Sequence, residues 1–353
     1  MYPFSTDKDP APQYLDRTNR RLLKSMTRLQ LNKVFGQRQV AYNRIQYEFL
    51  TTEDLKEKIN DTFRRAKKVL KMPPVVAEEH RPIELVSKDP GLMDFDEGKI
   101  VITDITFGVN DRERTILVRH ENGTLETADD ETRSRMNQIY NPKEGRNLVV
   151  PQMFEPELLK IGLQNGNYEF ILDRACVQFE PFESDYHRVT SQVYLKLNET
   201  NEFDRLRSTR HFGPMTFFLA WHRLIDGLLL DMIKRDYLRN GAELIALSYN
   251  LNDVDYDKSV VQQLEQYPEN TEERLREAAL QVKVLDLQDQ LEKQVGKTEN
   301  ELKADEISLD FIQKYVEANP ARTNLQLALS TRREENEQKQ KLFKGLQKAH
   351  GVD

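Results

Sequence analysis

Asn122-Gly123 stands between two short β-rich runs, RTILVRH (114–120) and TLET (124–127). Such a dipeptide between such runs predicts a tight hairpin, because both residues tolerate a positive φ. A third run, KIVITDITFGV (99–109), precedes the hairpin with partial alternation. LVVPQMF (148–154) and PMTFFLAWH (214–222) read as two further strands. An antiparallel sheet is therefore expected mid-chain. The βαβ alternation of a nucleotide-binding enzyme does not accompany it, so the fold class is α+β.

Around this centre the period changes to that of helices. A basic helix fits Asn19 to Leu31, with Leu22, Leu23, Met26 and Leu29 on one side. A second begins at Thr51-x-x-Asp54, a capping-box pattern. It carries the stripe Leu55, Ile59, Phe63, Ala66, Leu70, and Pro73-Pro74 ends it. Helices are also expected over 129–140, 155–163 and 168–179. After Ile225 the chain reads as helical throughout, in IDGLLLDMIKRDYL (225–238), ELIALSYNL (243–251), 271–293, 305–317 and 321–347, with breaks near Gly296 and Pro320. Composition divides the chain into an extended leader (1–16), a basic helical arm (17–75), an α+β core (76–240) and a helical C-terminal extension (241–353).

The net charge of −7 conceals an asymmetry. Residues 1–72 hold 16 Lys and Arg against 8 Asp and Glu, while the rest of the chain is strongly acidic. From Arg17 to Tyr47 there is no acid at all. Arg17, Arg20, Arg21, Lys24, Arg28, Lys33, Arg38 and Arg44 occur there with Phe35, Tyr42 and Tyr47 interleaved. Cations neutralise phosphates and aromatic faces stack on unpaired bases, so this arm is the first candidate RNA-binding element. The competing readings are a solvated basic face and an Arg-rich transit peptide. The second suits less well, because Asp7, Asp9 and Asp16 come first.

A second cationic segment is FDRLRSTRHFGPM (203–215), with Arg205, Arg207, Arg210 and His211 around Ser208. A nucleophilic Ser208 would need a base and an orienting acid. His211 is near in sequence, but no acid follows it. Guanidinium forks and hydroxyl donors suit phosphate oxygens without such an arrangement. Phosphate binding, or bridging of acidic neighbours, therefore outranks catalysis. No phosphate loop, dinucleotide fingerprint, nucleophile elbow or zinc-protease helix is present, and the six histidines lack metal-like spacing. The lone Cys176 cannot form an internal disulfide and reads as a small buried residue. No apolar run approaches the length of a membrane span. These observations favour no catalytic residues, no cofactor, no metal and no small-molecule substrate.

Seven segments occur in an order that resembles one family. They are LLKSMTRLQLNKVFG (22–36), KMPPVV (71–76), ITDITFGVNDRERTILVRHENGTLETA (102–128), QIYNPKEGR (138–146), CVQFEP (176–181), LRSTRHFG (206–213) and IDGLLLDMIKRDYL (225–238). The chain thereby resembles the mitochondria-specific small-subunit ribosomal proteins numbered twenty-two, from about residue 22 to about 240. The resemblance implies a structural ribosomal component in the mitochondrial matrix. Its partners would be small-subunit ribosomal RNA and neighbouring mitochondrial ribosomal proteins, with no membrane and no catalytic activity. Residues beyond about 240 fall outside it.

Overall fold

The computed structural model describes residues 8–36, 47–79, 81–93, 97–267, 299–318 and 322–350. Residues 1–7 of the expected leader, Arg38, Arg44, the helix expected over 271–293, and the breaks at Gly296 and Pro320 lie outside these. The chain forms two compact units, one of Met1–Val76 with Ser191–Asp353, the other of Ala77–Thr190. They cut the chain at 76 and 190, where composition cuts it at 16, 75 and 240.

The expected antiparallel sheet is present in the unit 77–190. Its strands are β1 (Leu85–Lys88), β2 (Ile100–Thr103), β3 (Ile116–Arg119) and β4 (Thr124–Thr127), in the order β1-β4-β3-β2. The hairpin forms at Asn122-Gly123, with Arg119 opposite Leu125 and Val118 opposite Glu126. Gly123 takes a φ of 75°, and a Cβ there would run into the Asp89 carbonyl. Glycine is therefore required twice over, by conformation and by space. Ile116, Val118 and Ala128 form a small buried cluster, joined by Val101 and by Met136 of α5 (Asp130–Tyr140). Helices α6 (Pro156–Gln164) and α7 (Tyr168–Gln178) complete the described elements of this unit, up to the start of α8 (Ser184–Thr200), within which the boundary falls. Cys176 on α7 is only partly buried, with its Sγ 3.6 Å from the Tyr186 hydroxyl.

Two expected strands are corrected. PMTFFLAWH lies in a helix, α9 (Phe212–Trp221), and nearly every residue of it is buried. A short, continuously apolar run carries no periodicity to separate strand from helix, and its aromatic content misleads. Pro214 fits because it stands in the first turn, where no intrahelical N–H is needed. LVVPQMF is mostly exposed coil and closes in a 3-10 turn over Gln152–Phe154, since Pro151 removes a ladder donor. Conversely, β1 was not expected. Its four residues are exposed and pair with β4 across a bulge.

In the unit 1–76 with 191–353 every described regular element is a helix. Part of the expected leader is a helix, α1 (Pro10–Leu15), capped by Asp9. Tyr14 is buried there, edge-on to Phe217 at 5.1 Å, and donates its hydroxyl to the Pro73 carbonyl at 2.9 Å. The basic helix is α2 (Arg17–Thr27), shorter at its end than expected, because Arg28 takes a φ of 54°. A single turn, α3 (Leu31–Val34), follows. Helix α4 (Thr52–Val69) starts with the expected capping box between Thr51 and Asp54. The expected helix 225–238 is divided into α10 (Asp226–Lys234) and α11 (Leu238–Leu251) by Asp236, at a φ of 63°. Helices α12 (Ser259–Gln266), α13 (Glu299–Glu317) and α14 (Thr323–His350) complete the described elements of the unit, with α13 packed on α11 and α14 on α10.

A half-buried carboxyl, Glu183, and a buried imidazole, His187, give the sheet unit opposed pH dependences. Burial raises Glu183 to about 7, so the folded state keeps a proton that the unfolded chain loses near the ordinary value of 4.5. Stability from this group falls as pH rises between those values. Burial lowers His187 to about 4, so the unfolded chain takes up a proton below 6.5 that the folded state refuses. Stability from this group rises with pH over that range. Glu183→Gln should therefore leave a net rise in the unit's stability from pH 4.5 to 6.5, and His187→Gln a net fall. The urea midpoint of amide-exchange protection in α7 measures both; identical slopes in the two variants would disprove the assignment.

Candidate nucleic-acid interface

Helix α2 owes its orientation to its apolar side. Leu22, Leu23 and Met26 are fully buried where it packs on α9 and α11. Asp16 caps its first turn, accepting from the N–H groups of Thr18 and Asn19. Ser25 Oγ donates to Glu243 Oε1 at 2.9 Å, and Asn250 Nδ2 to Asn19 Oδ1 at 3.1 Å. Burial pushes Glu243 up, opposed by Arg239 and by the Ser25 and Asn240 hydrogen bonds. Both side-chain bonds reach α11, so the helix is fixed in rotation as well as position.

That rotation sends the cations outward. Arg17, Arg20, Arg21 and Lys24 are all exposed. At 3.6 residues per turn they fall within an arc of roughly 100°, opposite the buried stripe. Arg21 pairs with Glu265, while Arg17 and Lys24 have no ion-pair partner among the described residues. Arg28, next in the series, serves the fold. Its guanidinium lies over the Tyr237 ring at 4.1 Å and donates to Asn240 Oδ1 at 2.9 Å, holding the end of the helix. Lys33 is exposed but pairs with Asp204 at 2.7 Å.

The segment 203–211 is arranged quite differently from a phosphate-binding loop. Arg207 has 0% exposure. Its Nη2 donates to Asp231 Oδ2 at 2.8 Å, and its Nε lies 3.3 Å from Asp204 Oδ1. The rings of Phe212 and Tyr237 each approach the guanidinium within 4.9 Å. Burial pulls its pKa below the ordinary value, opposed chiefly by Asp231, yet a guanidinium stays charged in any case. His211 and Ser208 are buried as well. Arg207 and His211 therefore leave the set of RNA-binding candidates, because a side chain without accessible surface cannot reach a phosphate. Ser208 is neither an exposed donor nor paired with His211; its Oγ makes no hydrogen bond among the described residues, and its N–H donates to the Thr27 carbonyl. Arg210 Nε points to His211 Nε2 at 3.4 Å, and Arg205, which is exposed, pairs with Glu202. The two cationic segments do meet, through Ser208–Thr27 and Lys33–Asp204, but as scaffold.

A model of the family described as mitochondrial 28S ribosomal protein S22 matches residues 12–253. Small ribosomal subunit protein mS22 of Bos taurus is 38% identical over 242 residues, 68% of this chain and 67% of its own length. Its counterpart in Mus musculus is 36% identical over the same shares. The chain belongs to the mitochondrial ribosomal protein S22 family. The S22 match takes in α2, α4, the whole sheet and the 203–211 segment, and stops two residues after α11.

One basic surface of this S22 chain escaped the sequence reading. Arg64, Arg65, Lys67, Lys68 and Lys71, at and just beyond the end of α4, are all exposed. Glu53 and Asp54 lie in the first turn of the same helix and Lys67 and Lys68 in its last, so its charge runs with the helix dipole. The signal was present as five cations in eight residues, hidden by the acids of the first turns in any average over the segment. Similarly, the spacing 17, 20, 21, 24 already marks one helical face, whereas 205, 207, 210 marks none.

The buried ion pair gives a direct expectation. Arg207→Ala should destabilise the helical unit by about 3 kcal/mol, because it removes one partner of a buried ion pair and empties the space beside Phe212 and Tyr237. Arg205→Ala should change it by under about 0.5 kcal/mol. Denaturant unfolding monitored by amide protection in α9 separates the two; equal effects would contradict the burial described.

Proposed function

We propose that this chain is a structural constituent of the small ribosomal subunit of mitochondria, held in the matrix by that assembly and without catalytic activity. The relatives' names support subunit membership, and the outward face of α2 supports RNA contact. Arg17, Arg20, Arg21 and Lys24 project from a helix whose rotation is fixed from behind, so their charge is presented without further ordering of the backbone. Ribosomal RNA phosphates are the ligand that this pattern suits, with each neutralised phosphate releasing counterions. The basic end of α4 is a second phosphate contact in the same reading. Arg205 and Arg210 remain as lesser candidates, and Lys33 and Arg28 contribute mainly through the fold. Neighbouring ribosomal proteins are the other partners.

The observation that carries this reading is the exposed four-cation face on a rigidly docked helix. In full-length chain, replacing Arg17, Arg20, Arg21 and Lys24 by Gln should weaken binding to small-subunit RNA. The slope of log K against log salt should flatten by roughly two to four. The wild-type chain should co-sediment with purified mature small subunits at one copy each. An unchanged salt slope refutes the RNA face. A chain found only on precursor particles points to an assembly factor, and one found mainly free in matrix extract refutes membership.

A further inference from the structure

The loop 104–111, between β2 and β3 of the sheet unit, combines two properties that oppose each other. Its backbone is held from several directions. Arg114, a buried guanidinium, donates Nη1 to the carbonyls of Asp104 at 2.8 Å and Thr106 at 3.2 Å, and Nη2 to that of Val109 at 2.9 Å. From α5, Arg133 Nη2 reaches the carbonyls of Asp111 and Arg112 at 3.2 and 3.0 Å, and Asn137 Nδ2 reaches that of Asp111 at 3.2 Å. Asp104 Oδ1 accepts from the N–H and hydroxyl of Thr106. Gly108 completes the bend at a φ of 84°, which a side chain would disfavour.

On this braced backbone the largest apolar side chains face solvent. Phe107 is 102% exposed and Ile105 72%, with Ile102 of β2 also exposed nearby in the chain. A buried arginine satisfying three carbonyls is a costly way to hold a loop whose largest apolar side chains lie in solvent. A rigid aromatic and an aliphatic side chain on a preorganised loop are the ingredients of an interface anchor, since little entropy remains to be lost on binding.

The charges beside the anchor select the occupant. Asp104 and Glu113 flank it in the chain, Asp111 is paired with Lys143 and Arg114, Arg114 is buried, and the charge of exposed Arg112 is taken up by Glu79. An acidic rim repels a phosphate backbone and attracts Lys and Arg. We propose that the 104–111 loop is a protein-docking element, seating Phe107 and Ile105 in an apolar pocket with a basic rim on another protein of the small subunit. This rests on the ribosomal reading above and goes beyond it in assigning one partner class to one surface.

The test uses full-length chain carrying a photoreactive phenylalanine analogue at position 107, assembled into small subunits that are then purified. Irradiation should join it to one ribosomal protein at high yield, and adding Ile105→Asp should reduce that product about tenfold. Crosslinking to RNA instead, or no crosslink in the assembled particle, would overturn the proposal. Phe107→Ser should in addition lower occupancy about tenfold in competition with wild type, with the thermal melt and the affinity for RNA unchanged. Wild-type occupancy by Phe107→Ser would overturn the proposal too. Sedimentation of the wild-type chain reports separately on membership, so a failed docking loop and a failed ribosomal reading give different results.

Discussion

The buried charge of Arg207 is the constraint around which the helical unit is organised. A guanidinium taken wholly out of water needs counter-charge close by, and here Asp231 and Asp204 supply it beside the rings of Phe212 and Tyr237, although Nε and Nη1 make no hydrogen bond among the described residues. Those four residues come from α10, the turn before α9, the start of α9 itself and the junction with α11. Arg235 shares Asp231 at 2.8 Å, and Lys33 shares Asp204. Burial pushes Asp204 up, but Lys33, Arg235 and Arg207 together hold it below the ordinary carboxylate range. Because Ser208 hands its N–H to the Thr27 carbonyl, the end of α2 is tied into the same arrangement. The buried charge thus adds a tie at the end of α2, whose outward side is set by its apolar stripe.

Two cationic segments that look alike in sequence therefore do opposite jobs. In α2 the cations recur every three or four residues against an apolar stripe, and the stripe wins the interior. In 203–211 the cations are spaced for no single face, and Leu206 and Phe203 draw the backbone inward with Arg207 among them. Charge counts alone cannot distinguish these cases. The position of the neighbouring apolar residues does.

Much of the fold was legible because its determinants are local. The Asn122-Gly123 hairpin and the Thr51–Asp54 capping box each depend on residues within one turn, and both form where expected. The parts that were not legible depend on distant partners. MTFFLAW reads as strand by composition but becomes helix α9 because α2 and α11 bury it on several sides. β1 has no alternating pattern and exists only by pairing with β4. The positive φ at Arg28 and at Asp236, which end helices early, have no glycine to announce them. The Arg207 cluster likewise joins residues far apart in the chain, and Asp231 gives no sign in sequence of being its counter-ion.

The central claim is that α2 offers its cations to ribosomal RNA while the 203–211 segment stays internal. Lysine acylation rates measured in the free chain, in purified small subunits and after ribonuclease treatment test it most directly. Lys24 should react readily in the free chain, be protected in the subunit, and regain reactivity once the RNA is digested. Equal reactivity of Lys24 in the free chain and in the intact subunit would contradict the account.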